Sequence, residues 1–143
     1  MGKIATVGAA KIVVRTRDEH CDPHVHAFHE GEGREMRIFF SYVSSAVLPE
    51  LPPLAGSPSA RQVQACMNRV TDKLDACRDA FWNAVQNVCL RNRHVVLRRG
   101  YVHESTVGTP TALKVMAAHY IAAANSIEFK ALGQIKTFTG RCP

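Results

Sequence analysis

One stretch of the chain constrains the fold more than any other. Between Ser59 and Val88, apolar residues fall at Val63, Met67, Val70, Leu74, Cys77, Phe81, Ala84 and Val88. Their separations alternate between four and three, the spacing that an α-helix brings to one face. Ser59 and Gln62 form a capping box at the start: the serine oxygen meets the amide three residues on, and the glutamine reaches back. The spacing predicts one long helix within 59–90. Its other face carries Arg61, Gln64, Asn68, Lys73, Asp75, Asp79 and Asn83. Cys, Ala and Val are weak seam residues for a free-standing coiled coil, so the stripe is expected to pack on a sheet. A homodimer formed through this helix is the alternative.

The sheet is sought upstream. Residues 11–17 (KIVVRTR) are β-branched and end in polar residues. Residues 24–29 (HVHAFH) and 34–42 (REMRIFFSY) flank Gly31-Glu32-Gly33, a break suited to a hairpin because glycine reaches positive φ without steric penalty. Residues 46–58 hold four prolines and read as an irregular connection. Downstream, 94–98 read as a short strand. Thr109-Pro110 reads as a cap and first turn, predicting a C-terminal helix through Ile127, and 129–138 as a closing strand. The expectation is a single α+β domain over 1–143. A small antiparallel β-meander (1–45) packs against one long helix (59–90), followed by a basic extension (91–143) with a C-terminal helix and short strands.

Apolar residues make up 46% of the 143, enough to build a core. No run of 18 apolar residues and no signal-peptide pattern is present, so a cytoplasmic protein without a membrane partner is expected. The five cysteines are odd in number and include no C-x-x-C pair, which indicates neither a disulfide framework nor a zinc ribbon.

The net charge of +6 is unevenly placed. Residues 1–90 hold ten Lys/Arg against ten Asp/Glu, whereas 91–143 hold eight against Glu104 and Glu128 alone. The whole excess therefore sits in the last third, which favours a polyanionic partner: nucleic acid, a ribonucleoprotein or an acidic protein surface. Arg91, Arg93, Arg98 and Arg99 are the expected contacts, because arginine suits phosphate. This reading requires them to share a surface and to stay clear of the acids of the first ninety residues.

A second constellation competes. His20, Cys21, His24, His26 and His29 lie within ten residues, and on a strand His24 and His26 share a face. His20, Cys21, His24 and His26 offer the donor types that zinc takes, although no cofactor is required. Alternatively His24 and His26, with His20 in support, are candidate base and acid for a ribonuclease-like toxin, with Arg17, Arg34 or Arg37 steadying the phosphate. The third reading is structural, with the imidazoles held by carboxylates or backbone. Whether the protein is an enzyme stays open at this point.

The run Lys11–Val14, then Arg17 through His20-Cys21-Asp22-Pro23-His24-Val25-His26, then Gly31–Gly33 and Met36–Phe39, resembles a family of small bacterial proteins of unknown function. Its members carry an EH-x-PPHVHV turn and strand, a glycine-containing hairpin, and a helix ending near a tryptophan, as Ala80–Asn83 does here. The likeness spans about residues 4–88. This chain has Asp22-Pro23 where the family has two prolines, and about 55 residues follow the helix. The resemblance implies a compact α+β domain and a place in a toxin–antitoxin-type module. A phage-encoded antagonist of a host defence complex fits the charge pattern equally well.

Overall fold

A computed structural model describes residues 2–15, 20–29, 31 and 33–143. The N-terminal half is an antiparallel sheet of five strands in chain order: β1 (Gly2–Val7), β2 (Ala10–Val14), β3 (His24–His29), β4 (Arg34–Phe39) and the two-residue β5 (Leu48–Pro49). Period-two alternation sets its buried face. Ile12, Ala27 and Met36 align across β2–β4, as do Val25 and Ile38, and all are at most 2% exposed. Gly31 and Gly33, at φ 88° and 63°, turn the β3–β4 hairpin as expected, while Glu32 between them lies outside the described residues.

The capping box forms: the Gln62 amide donates to Ser59 Oγ at 3.1 Å, and the Ser59 amide donates to Gln62 Oε1 at 2.8 Å. The expected single helix is corrected to two, α1 (Ala60–Asp72) and α2 (Leu74–Val85), which meet at Lys73. No Pro or Gly marks that junction; the chain leaves helical geometry at φ −115°, ψ 29°. Cys66, Val70, Cys77 and Phe81 still reach one core with the sheet of the same chain, so the stripe packs on a sheet.

The larger correction lies after residue 90. The chain does not form a C-terminal helix beside short strands; it closes a five-stranded β-barrel. The strands are β6 (His94–Arg98), β7 (Tyr101–Glu104), β8 (Leu113–Ile121), β9 (Ser126–Ala131) and β10 (Thr137–Arg141), in the closed order β10–β7–β6–β8–β9. Residues 113–121, expected as helix, are the longest strand. Their alternation is disguised by a register shift between Val115 and Ala117, so that Val115 and Tyr120, five apart, are both buried. Thr109-Pro110 makes a turn instead of a helix cap, the Ala112 amide donating to Thr109 O at 3.0 Å. The expected closing strand 129–138 is two strands, β9 and β10, with Gly133 at φ 75° between them. The fold is therefore mostly β, a meander sheet with two short helices joined to a closed barrel.

Buried contacts knit the halves together. Arg78 on α2 is 1% exposed. It donates from Nε to Ser41 O (2.9 Å) and from Nη2 to Ser44 O (3.2 Å) and Pro143 O (2.8 Å), with Nη1 3.5 Å from Asn125 Oδ1. Tyr42 donates to Arg78 O at 2.5 Å, and its ring meets Tyr120 of the barrel at 5.1 Å. Burial pushes the Tyr42 phenol well up and the Arg78 guanidinium down from their ordinary values. Cys21 and Cys89 form a disulfide between the turn before β3 and the loop before β6, a bond that the odd cysteine count and the lack of a C-x-x-C pair did not indicate. An odd cysteine count does not prevent one pair from closing; Cys66, Cys77 and Cys142 are the thiols that stay free and buried.

Candidate functional site

The histidines of β3 are placed by strand alternation, and the structure buries them. His24 and His26 are 1% and 7% exposed, with ring centroids 5.1 Å apart. The His24 ring lies 5.9 Å from Phe39 and from Phe81, and its Nδ1 is 2.7 Å from Asp22 O. His26 Nδ1 is 3.6 Å from Glu35 Oε1, a carboxylate that also pairs with Arg15. Across β4, Arg37 grips both oxygens of Glu50 at 2.8 and 2.5 Å and holds that carboxyl below the usual carboxylate range. His20 is exposed, with Nδ1 2.7 Å from Cys21 O.

These contacts bear on both chemical readings of the cluster. Cys21 is committed to a disulfide, and the Nδ1 atoms of His20 and His24 each meet a backbone carbonyl. Among the described residues, no group of three or more His, Cys, Asp or Glu converges in a way that could hold a metal ion. A general base must reach its substrate within hydrogen-bond distance. His24 and His26 present almost no surface for that. Of the arginines paired with that reading, Arg34 donates to Gln62 Oε1 at 2.7 Å, Arg37 is engaged with Glu50, and Arg17 lies outside the described residues.

The four arginines of the basic region are not one patch. Arg91 and Arg93 precede β6, whereas Arg98 ends it and Arg99 begins the following turn. Five residue steps along the strand separate Arg93 from Arg98, roughly 16 Å. Arg93 lines a cleft of about 340 Å³ between the two halves. There its guanidinium lies 3.3 Å from Asp22 Oδ1 and 3.8 Å from Glu104 Oε1, so an acid of the first ninety residues does occupy it. Arg98 and Arg99 are exposed and make no ion pair among the described residues.

The barrel gives these two a neighbour that the sequence reading missed. Arg99-Gly100 is a two-residue hairpin loop with both residues at positive φ, 53° and 83°. This is the pattern of a type I′ turn, whose hand matches the twist of the strands it joins. β10 docks on that turn, the Arg141 amide donating to Gly100 O at 2.8 Å. Tyr101 is then opposite Arg98 on β6 and opposite Arg141 on β10. Directly opposed residues share a face, so Arg98, Tyr101 and Arg141 form one row across three strands. The Arg141 guanidinium sits 5.4 Å from the Tyr101 ring centroid, and His103 lies 6.4 Å along β7. Forty residues separate Tyr101 from Arg141, and only closure of the barrel joins them.

Comparison with protein-family models, curated proteins and solved structures finds no match to this chain. Among the described residues, no helix is long and apolar enough to cross a membrane.

Proposed function

We propose that this protein binds a polyanionic partner, whether nucleic acid, ribonucleoprotein or acidic protein surface, through the cationic end of its barrel. One observation carries the reading: Arg98, Arg99 and Arg141 are exposed, adjacent, and, among the described residues, without a carboxylate within ion-pair distance. The charge count adds support, because residues 91–143 carry the entire net excess. Arg91 contributes from the other end of β6, and Arg93 joins only by giving up Asp22 and Glu104. A toxin–antitoxin component, implied by the family resemblance, or a phage-encoded antagonist of a host defence complex would each meet such a partner. The cytoplasmic setting belongs to the same proposal. A thiol count on protein taken directly from cells tests it: five free thiols fit a reducing cytoplasm, and three mean that the Cys21–Cys89 bond is closed there and overturn the setting.

The test is salt-dependent binding to heparin. Counterion release makes log affinity fall linearly with log salt. Replacing Arg98, Arg99 and Arg141 together by Gln is expected to flatten that slope and to weaken binding at least tenfold. Affinity indifferent both to salt and to the triple substitution sinks the reading. The ribonuclease-like alternative finds no comparable support, since His24 and His26 are both buried, His24 against Phe39 and Phe81.

A further inference from the structure

We propose that the outer face of β6, β7 and β10 is a binding site for single-stranded nucleic acid, with Tyr101 stacking on a base and Arg98, Arg99 and Arg141 holding the flanking phosphates. This rests on the polyanion reading and narrows it to one chemistry. Three features of the row point to it.

The first is the alternation of charge and ring. Neighbouring strands lie about 4.8 Å apart, so Arg98 and Arg141 bracket Tyr101 from its two sides. Such an arrangement matches a chain that presents phosphate, base and phosphate in succession. A duplex buries the faces of its bases, and an acidic protein surface offers carboxylates with nothing to stack. Only an unpaired strand uses both parts of the row.

The second is preorganisation. Arg141 already lies over the Tyr101 ring, and His103 continues the aromatic surface along β7. A base laid against this assembly extends an existing stack and orders little that is mobile. All three row residues sit on hydrogen-bonded strands, and Arg99 is fixed by its turn.

The third is the local balance of charge. Of the two acids after residue 90, Glu104 is beside Arg93, and Glu128 is opposite His119 on β8 and Thr139 on β10, pairing with none of the row arginines among the described residues. Asp75 and Asp79 of α2 line, with Arg141, a cleft of about 690 Å³ on the β9 side of β10. Tyr101 does not line that cleft, and no ion pair joins Arg141 to either aspartate. The guanidinium therefore faces the ring while its charge stays available to a phosphate. Arg99 adds a further cation at a left-handed position, which favours Gly or Asn over arginine.

The experiment titrates the full chain with three fluorescent probes: a single-stranded oligo-dT, the same strand paired with oligo-dA, and polyglutamate. The single strand is expected to bind about tenfold more tightly than the duplex or polyglutamate at equal charge. Tyr101→Ala is expected to weaken the single strand about tenfold, the scale of one base stack, and to leave polyglutamate unchanged. Tyr101→Phe, which keeps the ring and the packing, is expected to restore binding. Equal affinity for duplex and single strand, or an oligo-dT affinity unmoved by Tyr101→Ala in a folded variant, overturns the stacking site. Polyglutamate bound as tightly as oligo-dT, and lost with the arginines, overturns it too but leaves the polyanion reading standing. Failure of all three probes removes both.

Discussion

In the N-terminal sheet, cations are spent on the fold: Arg15 pairs with Glu35, Arg37 with Glu50, and Arg34 with Gln62 of α1. In the barrel, Arg98, Arg99 and Arg141 are exposed and, among the described residues, face no carboxylate within ion-pair distance. Exposed ion pairs add little stability, and an exposed arginine with no pair adds less. Cations that the fold does not use are therefore the ones to assign to a partner. The comparison also separates the two functional readings of this chain. The histidine cluster belongs to the sheet whose arginines Arg15, Arg34 and Arg37 are engaged by the fold, and the arginine row to the barrel.

If the halves differ in role, they are still built as one structure, and breaking the links between them tests this. The largest effect is expected from the Cys21–Cys89 bond, which spans 68 residues of sequence. Loop closure of that length stabilises by about 4 kcal/mol, through restriction of the unfolded chain. Urea unfolding of the Cys21→Ser/Cys89→Ser protein measures it, and a loss under about 1 kcal/mol would show that the bond is not a constraint on folding. Reaction with a thiol reagent gives an independent check. Burial pushes the Cys77 thiol up to about 12 and the Cys142 thiol up to about 11, so neither reacts until the protein unfolds.

Next comes Arg78→Met, expected to cost about 3 kcal/mol. It leaves the carbonyls of Ser41 and Ser44 and an oxygen of Pro143 without their donor in a buried site. Because this side chain touches the sheet connection, the barrel and the C-terminal segment together, its loss is expected to split one unfolding transition into two. A single transition at unchanged midpoint would contradict the role.

A smaller and more local effect is expected at Gly140. A Cβ there overlaps Val102 Cγ2 and meets Leu97 Cδ2 at 2.8 Å, where β6, β7 and β10 adjoin. Gly140→Ala is expected to cost about 2 kcal/mol by overpacking. Hydrogen exchange should locate the damage in β6, β7 and β10 while β2–β4 keep their protection. Equal loss in both halves would mean that the barrel is not a separable layer of the core.

The halves also differ in how far they can be read from sequence. β3 begins and ends where alternation places it, and the capping box at Ser59 forms as its residue types require. Those signals are local: a turn, a period, a reciprocal pair of hydrogen bonds. The barrel is specified by contacts between distant residues, which a window of ten or fifteen residues does not contain. Leu113, Met116, Ala117, Tyr120 and Ile121 fit a helical stripe as well as a strand, and the shift at Val115/Ala117 hides the alternation that separates the two. β1 is not legible because Gly2–Val7 is half-exposed at a sheet edge and lacks a clear apolar alternation. The disulfide was missed for the same reason as the arginine row. Cys21 and Cys89, like Tyr101 and Arg141, become neighbours only through tertiary closure.

The smallest effect sharpens the comparison most, because stability and binding should move in opposite directions. Arg99 occupies the first position of a type I′ turn at φ 53°, where Asn is favoured and arginine carries a backbone cost of about 1 kcal/mol. Asn-Gly is the preferred pair for this turn, so Arg99→Asn is expected to raise stability by several tenths of a kcal/mol. The same change removes one cation from the end of the barrel. Affinity for a polyanion should fall, and the salt slope should drop by roughly 0.7 for a single-stranded probe. Chemical denaturation and salt-dependent titration of one variant read both quantities. A stabilised protein that binds more weakly is the signature of a residue kept for its partner at the expense of its turn. A variant that gains stability and binds unchanged would return Arg99 to ordinary surface charge and leave the row with Arg98 and Arg141 alone.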